Sequence, residues 1–191
     1  MPQSTPVSFS HVGLHCFDLE KMVDFYTNVM ELTLTDRGEL PFMGANLKMV
    51  FLSGEPRDHH QLALIGEPAR QVEQGAVLLN QLSFRLDGLP KLRQIKAAAE
   101  QVGVTEFMPI NHGNAWSIYF ADPEGNTIEA FVDSPWYVRQ PCGDPLDLSL
   151  SDDEIERQTE QVYGSNPEFK TMQAWRDEVG VKMGVKTSVP G

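Results

Sequence analysis

Hydrophobic and polar positions follow two alternating kinds of pattern along the first part of the chain. Val7 to Phe17 is rich in apolar and β-compatible residues, which predicts a strand. Asp18 comes next and is a candidate N-cap, because its carboxylate can accept the free amide hydrogens of a first helical turn. Apolar residues then recur at helical spacing, namely Leu19, Met22, Val23, Tyr26, Val29 and Met30. The pattern therefore predicts a strand followed by a helix with one buried stripe.

Three shorter strand-like segments follow this helix. Glycine and proline separate them, which is typical of turns between strands. The segments are Leu32–Asp36, Asn46–Leu52 and His60–Ile65. Strand, helix and three strands together make one βαβββ module.

The same order of elements then occurs a second time. Val77–Leu86 is predicted as a strand and Pro90–Val102 as a helix, with three strand-like segments after them. Those segments are Thr105–Pro109, Trp116–Phe120 and Thr127–Val132. The repeat places His11 over Gln81 and Asp18 over Gly88, 70 residues later. We therefore expect an α+β fold in which two βαβββ modules, about 7–66 and 76–133, form a mixed-sheet groove within one domain spanning 6–134.

The character of the chain changes after this domain, and residues 135–191 are predicted to be an extension with two helices. Ser151-Asp152-Asp153-Glu154 has the pattern of a capping box and predicts a helix that ends near Tyr163. Ser165 or Asn166 is expected to cap the second helix, with Pro167 at its first position.

The second helix of the extension has an apolar stripe, which consists of Met172, Trp175, Val179 and Met183. Such a stripe needs a surface to pack against. We therefore expect this helical tail to pack on the core, to cover the groove or to join two subunits, and expect a homodimer or higher homo-oligomer.

Charge and cysteine usage narrow the classes of partner. The 15 basic and 27 acidic residues give a formal charge of −12, which argues against nucleic acid and anionic membranes as partners. Cys16 and Cys142 form no CxxC or disulfide pattern, which fits a reducing compartment. The first ten residues lack the basic and apolar regions of a signal peptide, and no apolar run is long enough to span a bilayer. We expect a soluble cytoplasmic protein.

Candidate chemistry lies at the centre of the expected groove. If equivalent strands of the two modules face each other, the inward positions are His11 with one of His59 and His60 in the first module, and Gln81 with Glu129 in the second. Imidazole and carboxylate are good ligands for Fe(II), Mn(II) and Zn(II). These residue types therefore indicate one divalent-metal site.

Glu129 interrupts the apolar strand Thr-Ile-Glu-Ala-Phe-Val. A buried carboxylate without a partner is very costly, so this position indicates a metal or another cation. The alternatives are an edge strand that turns Glu129 to water and a purely structural role for His11.

Two segments carry a resemblance to a known family. They read FSHVGLHCFDLEKMVDFYTNVMEL at residues 9–32 and WSIYFADPEGNTIEAF at residues 116–131. The first resembles the opening of the vicinal-oxygen-chelate superfamily, and the second is similar to its closing motif. That superfamily includes glyoxalase I, antibiotic-resistance proteins and the extradiol ring-cleaving dioxygenases. The resemblance covers about residues 7 to 133.

Within the superfamily, the chain most resembles small extradiol dioxygenases with two modules. The resemblance implies His11 and Glu129 as metal ligands, His60 as an acid–base histidine and Tyr119 as an active-site tyrosine. His112 lies near another histidine of the family's site. The implied activity is cleavage of a small catecholic aromatic substrate by O₂, with Fe(II) as the first choice of metal and Mn or Zn as alternatives.

One position departs from the family pattern, because Gln81 stands where these enzymes have a second histidine ligand. Gln81 can bind the metal itself, as glutamine sometimes does in glyoxalase I. His60, or less readily His15 on the face of His11, can replace it. Alternatively, the site holds no metal. The alternatives to a dioxygenase are accordingly a glyoxalase-type lyase or isomerase and a metal-independent small-molecule-binding protein.

Overall fold

The computed structural model of the chain describes residues 8–42, 45–67 and 79–184. The chain divides into two compact units. The first unit comprises residues 1–79 together with the turn Asp122–Asn126, and the second comprises residues 80–121 and 127–191. Each unit contains one of the expected modules.

The first unit has the predicted βαβββ order. Its elements are β1 (Val12–Cys16), α1 (Leu19–Asn28), β2 (Thr33–Phe42), β3 (Ala45–Ser53) and β4 (Leu62–Gly66). The sheet order is β1-β4-β3-β2, with β1 parallel to β4 and the other pairs antiparallel. Asp18 caps α1 as predicted, since its Oδ1 accepts the amide of Lys21 at 3.1 Å. The buried stripe of α1 packs on this sheet through Met22, Val23 and Tyr26.

The second unit repeats that order and adds the tail. Its elements are β5 (Leu82–Leu86), α2 (Leu89–Gln101), β6 (Met108–Asn111), β7 (Ala115–Ala121), β8 (Thr127–Asp133), β9 (Trp136–Tyr137), β10 (Asp144–Pro145), α3 (Asp152–Tyr163), β11 (Lys170–Thr171) and α4 (Met172–Met183). The main sheet has the order β10-β6-β7-β8-β5, with β5 parallel to β8. β5 and α2 begin 70 residues after β1 and α1, which confirms the predicted duplication.

Strand alternation gives the second sheet one apolar face and one polar face. Successive side chains of a strand point to opposite sides, so every second residue lies on the same face. The apolar face carries the buried residues Leu82, Trp116, Ile118, Phe120, Ile128, Ala130 and Val132. Helix α2 packs on that face with Leu92, Ile95 and Ala99. The other face is therefore left to polar side chains, among them Glu129.

The first strand of each module is shorter than the sequence pattern suggests. β1 begins only at Val12, because its pairing with β4 starts at Leu62. β5 begins at Leu82, where its pairing with Ile128 starts. Residues 7, 77 and 78 of the predicted strands lie outside the described residues. His11 and Gln81 consequently occupy the positions just before the two strands.

The first helix of the tail lies where the sequence predicts it, whereas the second begins later than predicted. The capping box of α3 is present, with Ser151 and Glu154 bonding each other's backbone. Helix α4 was expected to begin near Pro167 but begins at Met172, with Thr171 as its N-cap. The reason is that Lys170–Thr171 pairs antiparallel with Trp136–Tyr137, which holds this part of the chain extended.

The apolar stripe of α4 is also only partly buried. Met172 is buried, and the ring of Trp175 stacks on Tyr137 at 5.2 Å between centroids. Met183 is 71 % exposed, so its expected burial is wrong for the chain on its own. Gly180 takes the buried position near the end of the helix instead.

Thr159 fastens α3 to the core of the second unit. Its Oγ1 accepts hydrogen bonds from Asn111 Nδ2 at 2.9 Å and from Trp116 Nε1 at 2.8 Å, and it donates to Ile155 O. Trp116 belongs to the apolar face of the sheet, so α3 lies on that side and not over Glu129. The tail thus packs on the core, one of the outcomes expected from the sequence.

None of the helices within the described ranges combines the length and apolar character needed to cross a lipid bilayer.

The substitution Thr159→Val tests how firmly the tail is attached. Valine keeps the shape of threonine but leaves the buried Asn111 and Trp116 donors without an acceptor. Because an unsatisfied buried donor is costly, we expect a loss of about 2 kcal/mol in the free energy of unfolding. Urea denaturation followed by tryptophan fluorescence measures it.

Thr27→Val is the matched control, because within the described part of the chain the Thr27 hydroxyl donates to carbonyls of its own helix, Val23 O and Asp24 O. It should change stability by a few tenths of a kcal/mol, in line with side chains on helix surfaces. Equal losses in the two variants would contradict the role given to Thr159.

Candidate active site

The polar face of the second sheet is centred on the carboxylate of Glu129, which is only 8 % exposed. Oε2 accepts hydrogen bonds from Gln81 Nε2 at 2.7 Å and from Ser83 Oγ at 2.5 Å. Oε1 accepts from Ser117 Oγ at 2.9 Å and from Tyr119 OH at 2.5 Å. Each carboxylate oxygen therefore has two donors, which compensates the loss of water around the charge.

Strand register brings these donors together. Ser83 and Tyr119 are both paired with Glu129, from β5 on one side and from β7 on the other. Gln81 and Ser117 lie two residues from Ser83 and Tyr119, so strand alternation puts them on the same face. Since β8 runs between β5 and β7, its central carboxylate reaches donors on both neighbouring strands.

A phenol and an imidazole extend the cluster beyond Glu129. His112 Nε2 lies 3.0 Å from Tyr119 OH, and its Nδ1 lies 2.6 Å from the carbonyl oxygen of Cys142. Burial, and then the hydrogen bond to the Glu129 carboxylate, raise the pKa of Tyr119 well above its ordinary value. Tyr119 is therefore a neutral hydroxyl at physiological pH.

The same face carries an aromatic ring beside a guanidinium group. Phe131 follows Glu129 by two residues on β8, and the Arg85 guanidinium lies 5.4 Å from the centre of its ring. Asp133 pairs with Arg85 at 3.5 Å and with Arg176 at 2.9 Å. The surface next to Glu129 thus offers both a flat apolar group and a positive charge.

A cluster of histidines lies in the first unit. The rings of His11 and His60 are 4.3 Å apart between centroids, and His60 Nδ1 lies 2.9 Å from His59 Nδ1. Phe51 packs against His60 at 4.9 Å. Partial burial, together with the neighbouring His11 and His59, lowers the pKa of His60. His59 is exposed and His60 half-buried, so His60 is the more enclosed of the two candidate histidines.

His15 forms an ion pair across the first sheet instead of joining this cluster. Its Nδ1 lies 2.9 Å from Glu67 Oε2. Cys16, the next residue, is fully buried, and burial raises the pKa of its thiol to about 12. His15 and Cys16 therefore face opposite sides of β1, as successive residues of a strand do.

The structure distributes the predicted site residues over the two units. It brings Gln81, Tyr119, His112 and Glu129 together in the second, and His11 and His60 together in the first. Ser83 and Ser117 were missed, although their spacing from Gln81 and Tyr119 is the period of a strand and was available as a signal. The contact of His112 with Cys142 was also missed, because a main-chain carbonyl has no sequence signature.

The Glu129 carboxylate is the kind of oxygen donor that divalent cations take. Glu129 is a buried carboxylate, and the potential cation paired with it among the described residues is His112 at 4.0 Å, whose ring is charged only when both nitrogens are protonated. A divalent cation would supply a positive charge next to this carboxylate. Residues 8–42, 45–67 and 79–184 contain no group of three His, Cys, Asp or Glu side chains placed to hold a metal. The predicted set has only two residues of these types, since its third member is Gln81.

Known proteins resemble the chain in sequence. Biphenyl-2,3-diol 1,2-dioxygenase 2 of Rhodococcus globerulus is 26 % identical over 166 residues, which cover 86 % of this chain and 75 % of that protein.

Solved structures resemble the chain in fold. A glyoxylase/bleomycin resistance protein/dioxygenase domain from Frankia sp. EAN1pec superposes with a TM-score of 0.55 at 20 % identity, over 68 % of this chain and 99 % of that one. The fosfomycin resistance protein FosX of Listeria monocytogenes, solved with Mn(II) and sulfate, superposes with a TM-score of 0.52 at 18 % identity, over 68 % of this chain and 95 % of that one.

The family follows from the sequence pattern that spans both modules. Residues 8–130 match the family described as the Glyoxalase/Bleomycin resistance protein/Dioxygenase superfamily. This range includes the first segment that carries the resemblance and all of the second except its last residue, Phe131, and it ends just after Glu129. The fold of two βαβββ modules agrees with it. The chain therefore belongs to the glyoxalase/bleomycin resistance protein/dioxygenase superfamily, also called the vicinal-oxygen-chelate superfamily.

Proposed function

We propose that this chain is a metal-dependent enzyme of the extradiol-dioxygenase type, which cleaves a small catecholic aromatic substrate with O₂. The observation that carries the proposal is the buried Glu129 carboxylate, linked through Tyr119 to His112. The similarity to a biphenyl-diol dioxygenase over most of the chain supports it.

The proposed ligands are His11, Gln81 and Glu129. The two-module repeat supports this set, because His11 and Gln81 precede equivalent strands, and the family motifs support His11 and Glu129. Imidazole with oxygen donors suits Fe(II) first and Mn(II) or Zn(II) as alternatives. When bound, the metal would supply a positive charge to which two vicinal oxygens of the substrate could coordinate.

Gln81 has two possible roles in such a site. In the structure its Nε2 donates to Glu129, while its Oε1 accepts from Asn80 Nδ2 at 3.1 Å. Rotating the amide by half a turn exchanges the two atoms and presents the oxygen as a ligand. Gln81 is therefore a ligand through oxygen in one orientation and a support for Glu129 through nitrogen in the other.

Three further residues of the proposed site, Tyr119, His60 and Phe131, would contact the substrate or transfer its protons. Tyr119 keeps its proton, since its pKa is raised, and its hydroxyl can hydrogen-bond a substrate oxygen. His60 is neutral near pH 7, because its pKa is lowered, so it can accept the proton of a substrate hydroxyl. The half-buried ring of Phe131 offers a flat surface for an aromatic substrate.

A glyoxalase-type lyase or isomerase is the second candidate, and Gln81 is the observation that favours it. An amide oxygen is a harder ligand than imidazole and suits a metal that polarises a carbonyl. Such an enzyme consumes no O₂. Oxygen uptake therefore separates the two candidates.

The first test measures metal content. We expect one divalent metal per chain in the wild-type protein after reconstitution with Fe(II) without air and removal of loose metal. The variant His11→Ala should lose most of this metal, because it removes a proposed ligand. Elemental analysis gives the metal-to-protein ratio.

His15→Ala is the matched control, because it removes a nearby histidine of the same unit that pairs with Glu67 and not with the cluster of His11 and His60. It should keep the wild-type ratio. Full metal content in His11→Ala would show that the ligand assignment is wrong. Absence of metal from all three proteins would favour a metal-independent binding protein.

The second test compares wild type with Gln81→His under the same Fe(II) loading. The substitution completes a set of two histidines and one carboxylate, the combination that non-haem Fe(II) oxygenases use. We expect tighter Fe(II) retention and a higher rate of catechol-dependent oxygen uptake. An oxygen electrode and the absorbance of the ring-opened product measure it over a panel of catechols.

The outcomes of this comparison separate the candidate functions. Oxygen uptake by wild type, with more in the variant, supports the dioxygenase. A variant that binds iron but consumes no oxygen, beside a wild type that is equally inactive with oxygen, contradicts the dioxygenase and favours the lyase or isomerase.

A further inference from the structure

The tail contributes one segment to the polar face of the second unit. We call residues Val138–Cys142, which connect β9 to β10, the strap. The strap lies beyond both βαβββ modules in the sequence. It nevertheless contacts His112, the outermost residue of the chain of hydrogen bonds that begins at Glu129.

The Gln140 amide bonds His112, which directly follows β6, through its nitrogen and the strap itself through its oxygen. Nε2 donates to the carbonyl oxygen of His112 at 2.7 Å, and Oε1 accepts the amide hydrogen of Cys142 at 3.0 Å. The carbonyl of Cys142 then lies 2.6 Å from Nδ1 of His112. One glutamine side chain thus fixes the distance between the His112 backbone and the carbonyl that its ring meets.

This contact decides the tautomer of His112. A carbonyl oxygen only accepts hydrogen bonds, so Nδ1 carries a proton. In the neutral ring Nε2 is then the unprotonated nitrogen, 3.0 Å from Tyr119 OH. Because the Tyr119 hydroxyl has a single proton, it donates either to Nε2 of His112 or to Oε1 of Glu129. The alternative tautomer would place two acceptors against each other at 2.6 Å.

The rest of the strap is firmly anchored. Val138 is fully buried, and β10 pairs with β6 through Asp144 and Asn111. Gly113 has a φ of +76°, and a Cβ there would lie 2.4 Å from Val138 Cγ1, so only glycine allows this close approach. The strap is therefore held in a fixed position by the buried Val138 at its start and by the pairing of β10 after its end.

We propose that Gln140 is a positioning residue, which acts through the Cys142 carbonyl to hold His112 in the Nδ1–H tautomer with Nε2 directed at Tyr119. The effect on catalysis rests on the proposed ring-cleavage function, whereas the tautomer does not. The tail is on this view part of the active site, although it supplies no group that touches the substrate.

The variant Gln140→Leu tests the proposal, since leucine removes both amide contacts at similar size. Gln158→Leu is the control, because Gln158 is an exposed glutamine of the tail on α3. Protein labelled with ¹⁵N-histidine gives a two-bond ¹⁵N–¹H spectrum that distinguishes the tautomers. The variant His112→Gln identifies the His112 signals by their loss.

The wild type and the control should show His112 as the Nδ1–H tautomer. Gln140→Leu should show a mixture with the Nε2–H form, and its kcat for catechol cleavage should fall about tenfold at nearly unchanged KM, as is common for residues that orient a catalytic group. A residue with only a structural role would lower thermal stability without changing the tautomer.

Several results would overturn the proposal. An Nε2–H tautomer in the wild type excludes the carbonyl contact, and an unchanged tautomer in Gln140→Leu removes the role of Gln140. A changed tautomer at unchanged kcat would show that the contact does not serve the reaction. If the wild type cleaves no catechol, the proposed function fails, while the spectra still decide whether Gln140 sets the tautomer.

Discussion

The burial of one carboxylate organises the polar face of the second unit. Glu129 sits in the middle of an apolar strand, where an ionised group without partners would be very costly. The neighbouring strands meet that requirement with two hydroxyls, a phenol and an amide. These donors lie on β5, on β7 and at the residue just before β5, so the orientation of the carboxylate depends on the register of three neighbouring strands.

The two modules have the same topology but carry different polar side chains. The four strands of each module have the same order in their sheet, with the first strand of the module parallel to the last, and the second sheet adds β10 at its edge. The first unit carries a cluster of imidazoles, whereas the second carries hydrogen-bond donors around a carboxylate. Only the second module is followed by a tail, and this tail contacts both faces of the second sheet. Helix α3 packs on its apolar face through Thr159, and the strap reaches His112 on the polar face.

Sequence patterns predict what is local or periodic and miss what depends on pairing over long distances. The capping box of α3 and the 70-residue repeat are of the first kind, and the structure confirms both. The start of α4 is of the second kind, because pairing of β11 with β9 keeps Lys170–Thr171 extended. In the site, Glu129 is predictable since a charge in an apolar strand is conspicuous. The Cys142 carbonyl is not, because every residue has one.

The Glu129 carboxylate is the proposed cation-binding group of this chain. A crystal structure of the protein loaded with Fe(II) without air, with anomalous data collected at the iron edge, tests it most directly. The account predicts one anomalous peak within roughly 2.0–2.3 Å of a Glu129 oxygen, with His11 Nε2 or Nδ1 at a similar distance. At least one of the four hydrogen bonds to Glu129 should then be replaced. An iron-loaded crystal in which all four hydrogen bonds remain and the anomalous peak lies elsewhere would contradict the account.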